Sequence, residues 1–350
     1  MSDRVVWVAA GGTAGHLHAG LEVATALGAR ARVLLVTSDR PVEDATLRGH
    51  AIERVRLAEA GIVRARRAPK LGAFGENVRR LLAAPQPSVA VGLGGAPQVL
   101  ALAVAAARRA RIVLVEQNAV LGRANRLMAP FASELVLAWP ARVPRLVRDR
   151  AVIVGPPTRE LPPRAEARSR LGIAPDAVLV VATSGSLGSL ALNTAMVEVV
   201  GRGLVDDVVV WHFLGERNVP PQVPDPMASY QPVVGFDPRL GDAIAAGDVV
   251  VARAGSSTLA EIAIAGVASV LVPLPKAPGD HQRANAEYFV AAGASEVVEE
   301  GPGLAERLGR AIAELAVDPS LRTAMGAAAR ALVTERATER LVEEVARWLE

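Results

Sequence analysis

Short β-branched runs alternate with longer amphipathic stretches along almost the whole chain. In the first half these runs are "RVVWVAA", "ARVLLVTS", "SVAVGLGG", "RIVLVEQN", "SELVLAW" and "AVIVGPP". Runs apolar at nearly every position, with helical patterns between them, predict parallel strands covered on both faces. The pattern resumes in the second half with "AVLVVATSG", "DDVVVWHFLG", "DVVVARAG" and "ASVLVPL". The fold class is therefore α/β, with two doubly wound domains whose ligand loops lie at the carboxyl ends of the strands. Between the halves, "IVGPPTRELPPRAEARSRLG" carries four prolines, which disfavour helix and central strand alike and suit a linker. The boundary falls near Pro157, giving domains 1–157 and 158–350. A second proline-rich stretch, "NVPPQVPDP", reads as a surface loop, because strand patterns resume on both sides of it.

A length of 350 residues, half of them hydrophobic, agrees with two cores rather than one. Cysteine is absent, which excludes disulfides and thiolate metal sites and makes the cytoplasm the default compartment. The first residues lack the basic start and apolar core of a signal peptide, and Val5–Ala10 is too short to span a bilayer. Net charge is only +3, but "RARRAPK" gathers Arg64, Arg66, Arg67 and Lys70. Such a cluster suits either an anionic membrane surface or a solvated arginine-rich face. Nucleic acid is not expected as a partner, since aromatic residues are scarce and no recognition motif occurs.

Candidate chemistry lies in four glycine loops, each following an apolar run: "GGTAGH" from Gly11, "GLGGAP" from Gly92, "SGSLGS" from Ser184 and "RAGSSTLAE" from Arg253. A dinucleotide fingerprint is a poor match to the first, although Asp39 stands roughly where a ribose-binding carboxylate would. One glycine turn says little; four, shared between two domains, point to a cleft in which both halves touch one ligand. In the last loop Ser256–Thr258 should open a helix whose free amides receive a phosphate. Glu261 is expected in the first turn, near the ligand or merely complementing the helix dipole.

Three of these loops, "GGTAGH", "SGSLGS" and "RAGSSTLAE" continued to "RAGSSTLAEIAIAG", occur with "EQNAVLGRANRL", "GPPTRE" and "DHQRANAEYFVAAGA" in the order found in the MurG family, and the chain resembles that family along nearly its whole length. The resemblance implies a GT-B glycosyltransferase fold, with two Rossmann-like domains facing a deep cleft. It also implies inverting transfer of N-acetylglucosamine from UDP-N-acetylglucosamine to an undecaprenyl-linked muramoyl-pentapeptide, with no metal ion or other cofactor. The N-terminal domain would be the acceptor and membrane side, the C-terminal domain would bind the UDP-sugar, and the last helix would pack back on the N-terminal domain. The location implied is peripheral, on the cytoplasmic face of the cell membrane.

Carried over by position, Thr13, Ala14 and Gly15 would line the donor site beside His16, the best candidate for the catalytic base. Donor positioning or helix capping is the alternative role for His16, and His18 should pack or face solvent. Asn118 would contact the sugar, Arg159 matches the arginine after the interdomain proline, and Ser186 matches the diphosphate-binding serine. Ser256, Ser257, Thr258, Leu259, Ala260 and Glu261 would hold the nucleotide, with Glu261 on the ribose hydroxyls and Gln282 on the sugar hydroxyls.

Several positions depart from the family pattern. Ala14 replaces the third glycine of "GGTGGH", "VEQN" replaces "HEQN", and Gly155-Pro156-Pro157 replaces "GNP". "SGSLGS" replaces "GGSQGA", and Ala96 stands where the family has tyrosine. Losing polar side chains at Pro156 and Leu187 removes contacts, so donor class is better supported than acceptor identity. A GT-B relative with another acceptor, a UDP-sugar epimerase and a weakened binding protein remain the alternatives.

Overall fold

The computed structural model describes residues 4–11, 14–62, 69–334 and 336–350. Among them the strands form two parallel sheets. The first holds β1 (Val5–Ala9), β2 (Arg32–Ser38), β3 (Glu53–Leu57), β4 (Val89–Gly92), β5 (Arg111–Glu116), β6 (Glu134–Leu137) and β7 (Ala151–Ile153), in the order β3-β2-β1-β4-β5-β6-β7. The second holds β8 (Val178–Thr183), β9 (Val208–Gly215), β10 (Tyr230–Val234), β11 (Val249–Ala252), β12 (Ala268–Leu271) and β13 (Ser295–Val297), in the order β10-β9-β8-β11-β12-β13. The helices between strands of the first sheet are α1 (Ala14–Leu27), α2 (Pro41–Thr46), α3 (Leu71–Ala83), α4 (Ala96–Ala107) and α5 (Arg123–Met128). Those of the second half are α6 (Arg164–Leu171), α7 (Leu190–Gly201), α8 (Leu240–Ala246), α9 (Ser256–Ala265), α10 (His281–Ala291), α11 (Leu304–Val317) and α12 (Pro319–Ala331), followed by α13 (Ala337–Arg347).

All the predicted runs are strands, and the burial that made them legible is plain in β1. Its residues Val5, Trp7 and Ala9 enter one apolar cluster while Val6 and Val8 enter another, so both faces of the sheet are covered. Trp7 is fully buried and donates its Nε1–H to Pro85 O at 3.0 Å, which keeps the large ring's one polar atom paired. The strands that the pattern missed are β3, β10 and β13, which lie at sheet edges. β3 reads "ERVRL", with polar residues exposed, and β10 contains Pro232, tolerated because an edge strand leaves one side of its ladder unused.

The chain divides into two compact units, one comprising Met1–Arg159 with Thr334–Glu350 and the other Glu160–Val333. In the first, Leu341, Val342 and Val345 of α13 join the cluster built on Val6 and Val8. Gly155, at φ 103°, lies so close to this segment that a Cβ there would stand 2.9 Å from Ala337 Cβ. Trp348 donates Nε1–H to Glu134 Oε2 at 2.6 Å, and burial, reinforced by Glu344, pushes the Glu134 carboxyl up to about 7. No described helix is long and apolar enough to cross a membrane.

Strand order reverses between β1 and β4 in the first sheet and between β8 and β11 in the second. Loops at such a point diverge to opposite faces and leave a crevice at the carboxyl edge. The four glycine loops follow these four strands.

Candidate functional site

In the first unit, Gly12 and Thr13 lie outside the described residues, as do Arg64, Arg66 and Arg67 of the basic cluster. Ala14 opens α1, with Gly15 and His16 in its first turn. β1 and β4 pair in register, Ala9 opposite Gly92, which brings the two glycine loops side by side. His16 lies against the second of them: a Cβ on Gly94 would stand 2.8 Å from His16 Nε2, and one on Gly95 would run into Gly11 O. Both glycines have positive φ, 104° and 86°, so the close approach and the backbone shape each require them.

Behind this contact lies a buried polar assembly. Glu43, with no exposed surface, accepts Ser38 N–H at 2.7 Å and Ser38 Oγ–H at 2.6 Å, and a Cβ on Gly11 would stand 2.9 Å from its Oε1. Glu116 Oε1 accepts the backbone N–H of Asn118 at 3.0 Å and its side-chain Nδ2–H at 2.9 Å. Glu116 Oε2 accepts Gly122 N–H at 2.7 Å and Asn125 Nδ2–H at 3.0 Å. The four donors gathered on this one side chain fix the loop that carries Asn118. The sequence motif "EQN" points to Asn118 but not to the support given by Glu116, Asn125 and Gln98; the signal for Glu116 is a carboxylate that closes the buried apolar run of β5.

Arg159 lies near His18 on α1. The His18 imidazole is held below its ordinary value, first by partial desolvation and then by the charges of Arg159 and His50. His18 is nonetheless exposed over much of its surface, as expected. Asp39, the rival ribose carboxylate, instead accepts Glu59 N–H at 2.9 Å and anchors a turn.

In the second unit the "SGSLGS" loop joins β8 to α7, with Ser186 partly exposed. Gly188, at φ 74°, is wedged against the carbonyl oxygens of Leu214 and Arg217. Asn193 supports the loop by accepting Ser184 Oγ–H at 2.8 Å and donating to Leu214 O at 2.9 Å and Asn218 O at 3.1 Å. Its Oδ1 also faces His212 Nε2 at 3.2 Å, so that nitrogen must carry the proton and Nδ1 must accept from Tyr230 OH at 2.9 Å. Burial pushes the His212 imidazole down to about 4 and Tyr230 up to about 12, so this chain is neutral.

Helix α9 begins at Ser256, with Gly255 as its N-cap and Leu259 N–H the first to bond back, to Gly255 O at 3.0 Å. The amides of Ser256, Ser257 and Thr258 precede that bond and form an anion-receptive end. Leu259 and Ala260 have buried side chains, so any ligand contact of theirs is through the backbone. Glu261 was expected in the first turn, but a helix that starts at Ser256 puts it in the second, where the dipole has largely faded. That weakens the dipole-complement account of this residue.

Arg253 is buried; it donates to Val272 O at 3.0 Å, to Ser189 Oγ at 2.5 Å and to Glu300, tying β11, β12 and the N-cap of α7 together. Gln282, in the first turn of α10, accepts Leu274 N–H at 2.9 Å, which leaves its amide nitrogen as a donor. Among the described residues no group of His, Asp and Glu is arranged to hold a metal ion.

Two doubly wound parallel sheets, each with paired glycine loops at its switch point, define a GT-B type glycosyltransferase. Accordingly, residues 6–136 match the glycosyltransferase family 28 N-terminal domain and residues 178–341 the family 28 C-terminal domain. The chain is 36% identical over 361 residues to the UDP-N-acetylglucosamine–N-acetylmuramyl-(pentapeptide) pyrophosphoryl-undecaprenol N-acetylglucosamine transferase of Xylella fastidiosa, covering 98% of this chain and 95% of the relative. The identically named protein of Sorangium cellulosum is 33% identical, covering 97% and 87%. The crystal structure of Acinetobacter baumannii MurG superposes with a TM-score of 0.74 at 24% identity over 98% of this chain and 99% of that one, which supports the fold. The chain belongs to the MurG family of glycosyltransferases.

Proposed function

We propose that this chain transfers N-acetylglucosamine from UDP-N-acetylglucosamine to an undecaprenyl-linked muramoyl-pentapeptide, the activity that its relatives' names describe. The observation that carries the reading is the pairing of glycine loops at the switch point of each unit, within a chain that matches those relatives over nearly its full length.

The donor belongs to the second unit. Amides at the starts of α7 and α9, with Ser186 and Ser256–Thr258, receive the diphosphate. Glu261 accepts the ribose hydroxyls, Arg159 contributes to nucleotide binding, and Gln282 and Asn118 meet sugar hydroxyls. His16 takes the proton of the acceptor hydroxyl as its oxygen attacks the anomeric carbon from the face opposite UDP. The new carbon–oxygen bond forms while the bond to the diphosphate breaks, inverting the centre, and the helix N-termini stabilise the charge that leaves with UDP. Gly15, in the first turn of α1, lets the backbone approach that centre, and Thr13 and Ala14 are assigned to the donor site with it. No residue assigned here requires a metal ion.

Peripheral attachment to the cytoplasmic face of the membrane belongs to the same reading, with Arg64, Arg66, Arg67 and Lys70 facing anionic lipid. Leu71, next to Lys70, is 86% exposed and supports it, whereas Phe74 packs against the core. The test is incubation with labelled UDP-N-acetylglucosamine and the lipid-linked muramoyl-pentapeptide. A labelled disaccharide lipid is expected; UDP binding with no transfer to the lipid would reject the reading.

A further inference from the structure

Gln98 lies in the first turn of α4 and has no exposed surface. An amide that is wholly buried must satisfy both ends or lose the hydrogen bonds it had in water. Gln98 does so by spanning from the loop after β4 to α5. Its Oε1 accepts Gly94 N–H at 2.5 Å, and its Nε2–H donates to Asn125 Oδ1 at 2.7 Å. Asn125 in turn donates to Val115 O at 2.9 Å and to Glu116 Oε2 at 3.0 Å, while the other oxygen of Glu116 holds both the backbone and the side chain of Asn118. The path is therefore continuous from Gly94, against which His16 lies, to Asn118.

Two further features show that the sequence makes room for this path. A Cβ on Gly92 would stand 2.6 Å from Leu102 Cδ1 and 2.7 Å from Gln98 Oε1, so a larger residue at the end of β4 would displace both side chains. In parallel, Gln117 Nε2–H donates to Leu93 O at 3.1 Å, a direct hydrogen bond between the loop after β4 and the loop that carries Asn118. Directions along the path are fixed as well: Gly94 N–H can only donate, so Gln98 must present its oxygen there and its nitrogen to Asn125.

We propose that Gln98 is a positioning residue that couples the glycine loop beneath His16 to Asn118, holding both in one geometry for transfer. The proposal rests on the reaction assigned above only for its consequence in rate. The coupling itself is a property of the unliganded protein. Small displacements at a reacting centre lower the rate steeply, whereas nucleotide binding on the second unit has no share in this network.

Gln98→Met keeps the length of the side chain and removes both hydrogen bonds. Asn77→Leu is the control, because Asn77 is equally buried and bonds both Ala58 N–H and Ala58 O but lies off the path. Gln98→Met should lower kcat at least tenfold and leave UDP affinity within twofold. Asn77→Leu should lower the melting temperature but keep kcat per folded molecule within twofold. In protein labelled with 15N-asparagine and free of substrate, the side-chain resonances of Asn118 should move in Gln98→Met and stay in Asn77→Leu. If Gln98→Met does not fold, Gln98→Ala serves, since it removes both hydrogen bonds and leaves space in which water can reach Gly94 N–H and Asn125. A folded Gln98 variant with parental kcat and unmoved Asn118 resonances would overturn the proposal. Moved resonances in a parent that transfers no sugar would uphold the coupling and reject the assigned reaction instead.

Discussion

The two switch points are built alike in backbone and oppositely in what lies beneath them. In the first unit the loops rest on buried carboxylates, Glu43 under Gly11 and Glu116 under Asn118. In the second they rest on a neutral chain, Ser184–Asn193–His212–Tyr230, and on the Arg253 guanidinium paired with Glu300. A diphosphate is repelled by a nearby carboxylate and favoured by free amides in a neutral or positive setting. A loop that must present a base and polar amides to a sugar is instead made rigid by carboxylates that gather N–H donors. The difference matches the division of work proposed above, in which the second unit takes the donor charge and the first the proton.

The largest effect should come from His16. His16→Ala is expected to lower kcat by about 10²–10⁴-fold, the usual contribution of a positioned general base. A kcat within a few-fold of the parent would remove His16 from catalysis.

Next comes Glu261 in the second unit. Glu261→Ala removes an acceptor for ribose hydroxyls and should weaken UDP binding by roughly 1.5–3 kcal/mol, read by calorimetry. An unchanged dissociation constant would separate this residue from the nucleotide.

A glycine pair sharpens the second unit further. Gly188→Ala would drive a methyl group into the carbonyl oxygens of Leu214 and Arg217, so it should displace the loop and lower both stability and UDP affinity. Gly185→Ala meets open space and bears only the strain of its positive φ, 75°, about 1–2 kcal/mol. Equal losses of UDP affinity in the two variants would contradict the wedge.

The smallest effects concern pH, and they run in opposite directions in the two units. Folding lowers His212 from 6.5 to about 4, so the second unit keeps its full stability above about pH 6.5 and loses it as pH falls toward 4. Folding raises Glu134 from 4.5 to about 7, so its contribution in the first unit is complete below pH 4.5 and is lost as pH rises through 7. Hydrogen exchange resolved by segment should show strands β8 and β9 loosening in acid and α13 loosening in base. His212→Gln should flatten the first trend and Glu134→Gln the second; parallel trends in both units would refute the contrast.

Much of this was legible in the sequence, and what was not has a physical reason. Buried strands such as β1 and β8 announce themselves because both faces demand apolar residues, while the half-polar "ERVRL" of β3 and the proline of β10 obscure edge strands. The glycine loops were visible because positive φ and close backbone approach restrict the residue type at Gly94, Gly95 and Gly188. Their supports were not: Gln98, Glu43 and Asn193 look like ordinary polar residues until tertiary pairing brings Gly94, Ser38 and Leu214 to them. Glu261 falls in the second turn of α9 although the helix starts at Ser256 as the serines indicate, because Glu261 lies five positions further on and a turn takes about 3.6 residues.

The most direct test of the division of work crosses the two leading variants: UDP affinity is measured on His16→Ala, and kcat on Glu261→Ala at saturating donor. His16→Ala should bind UDP within about twofold of the parent, and Glu261→Ala should keep kcat within a few-fold once its donor site is filled, the separation expected when one group serves the transition state and the other serves binding. A fall of rate and affinity together in His16→Ala would make that residue part of the donor site and contradict the account.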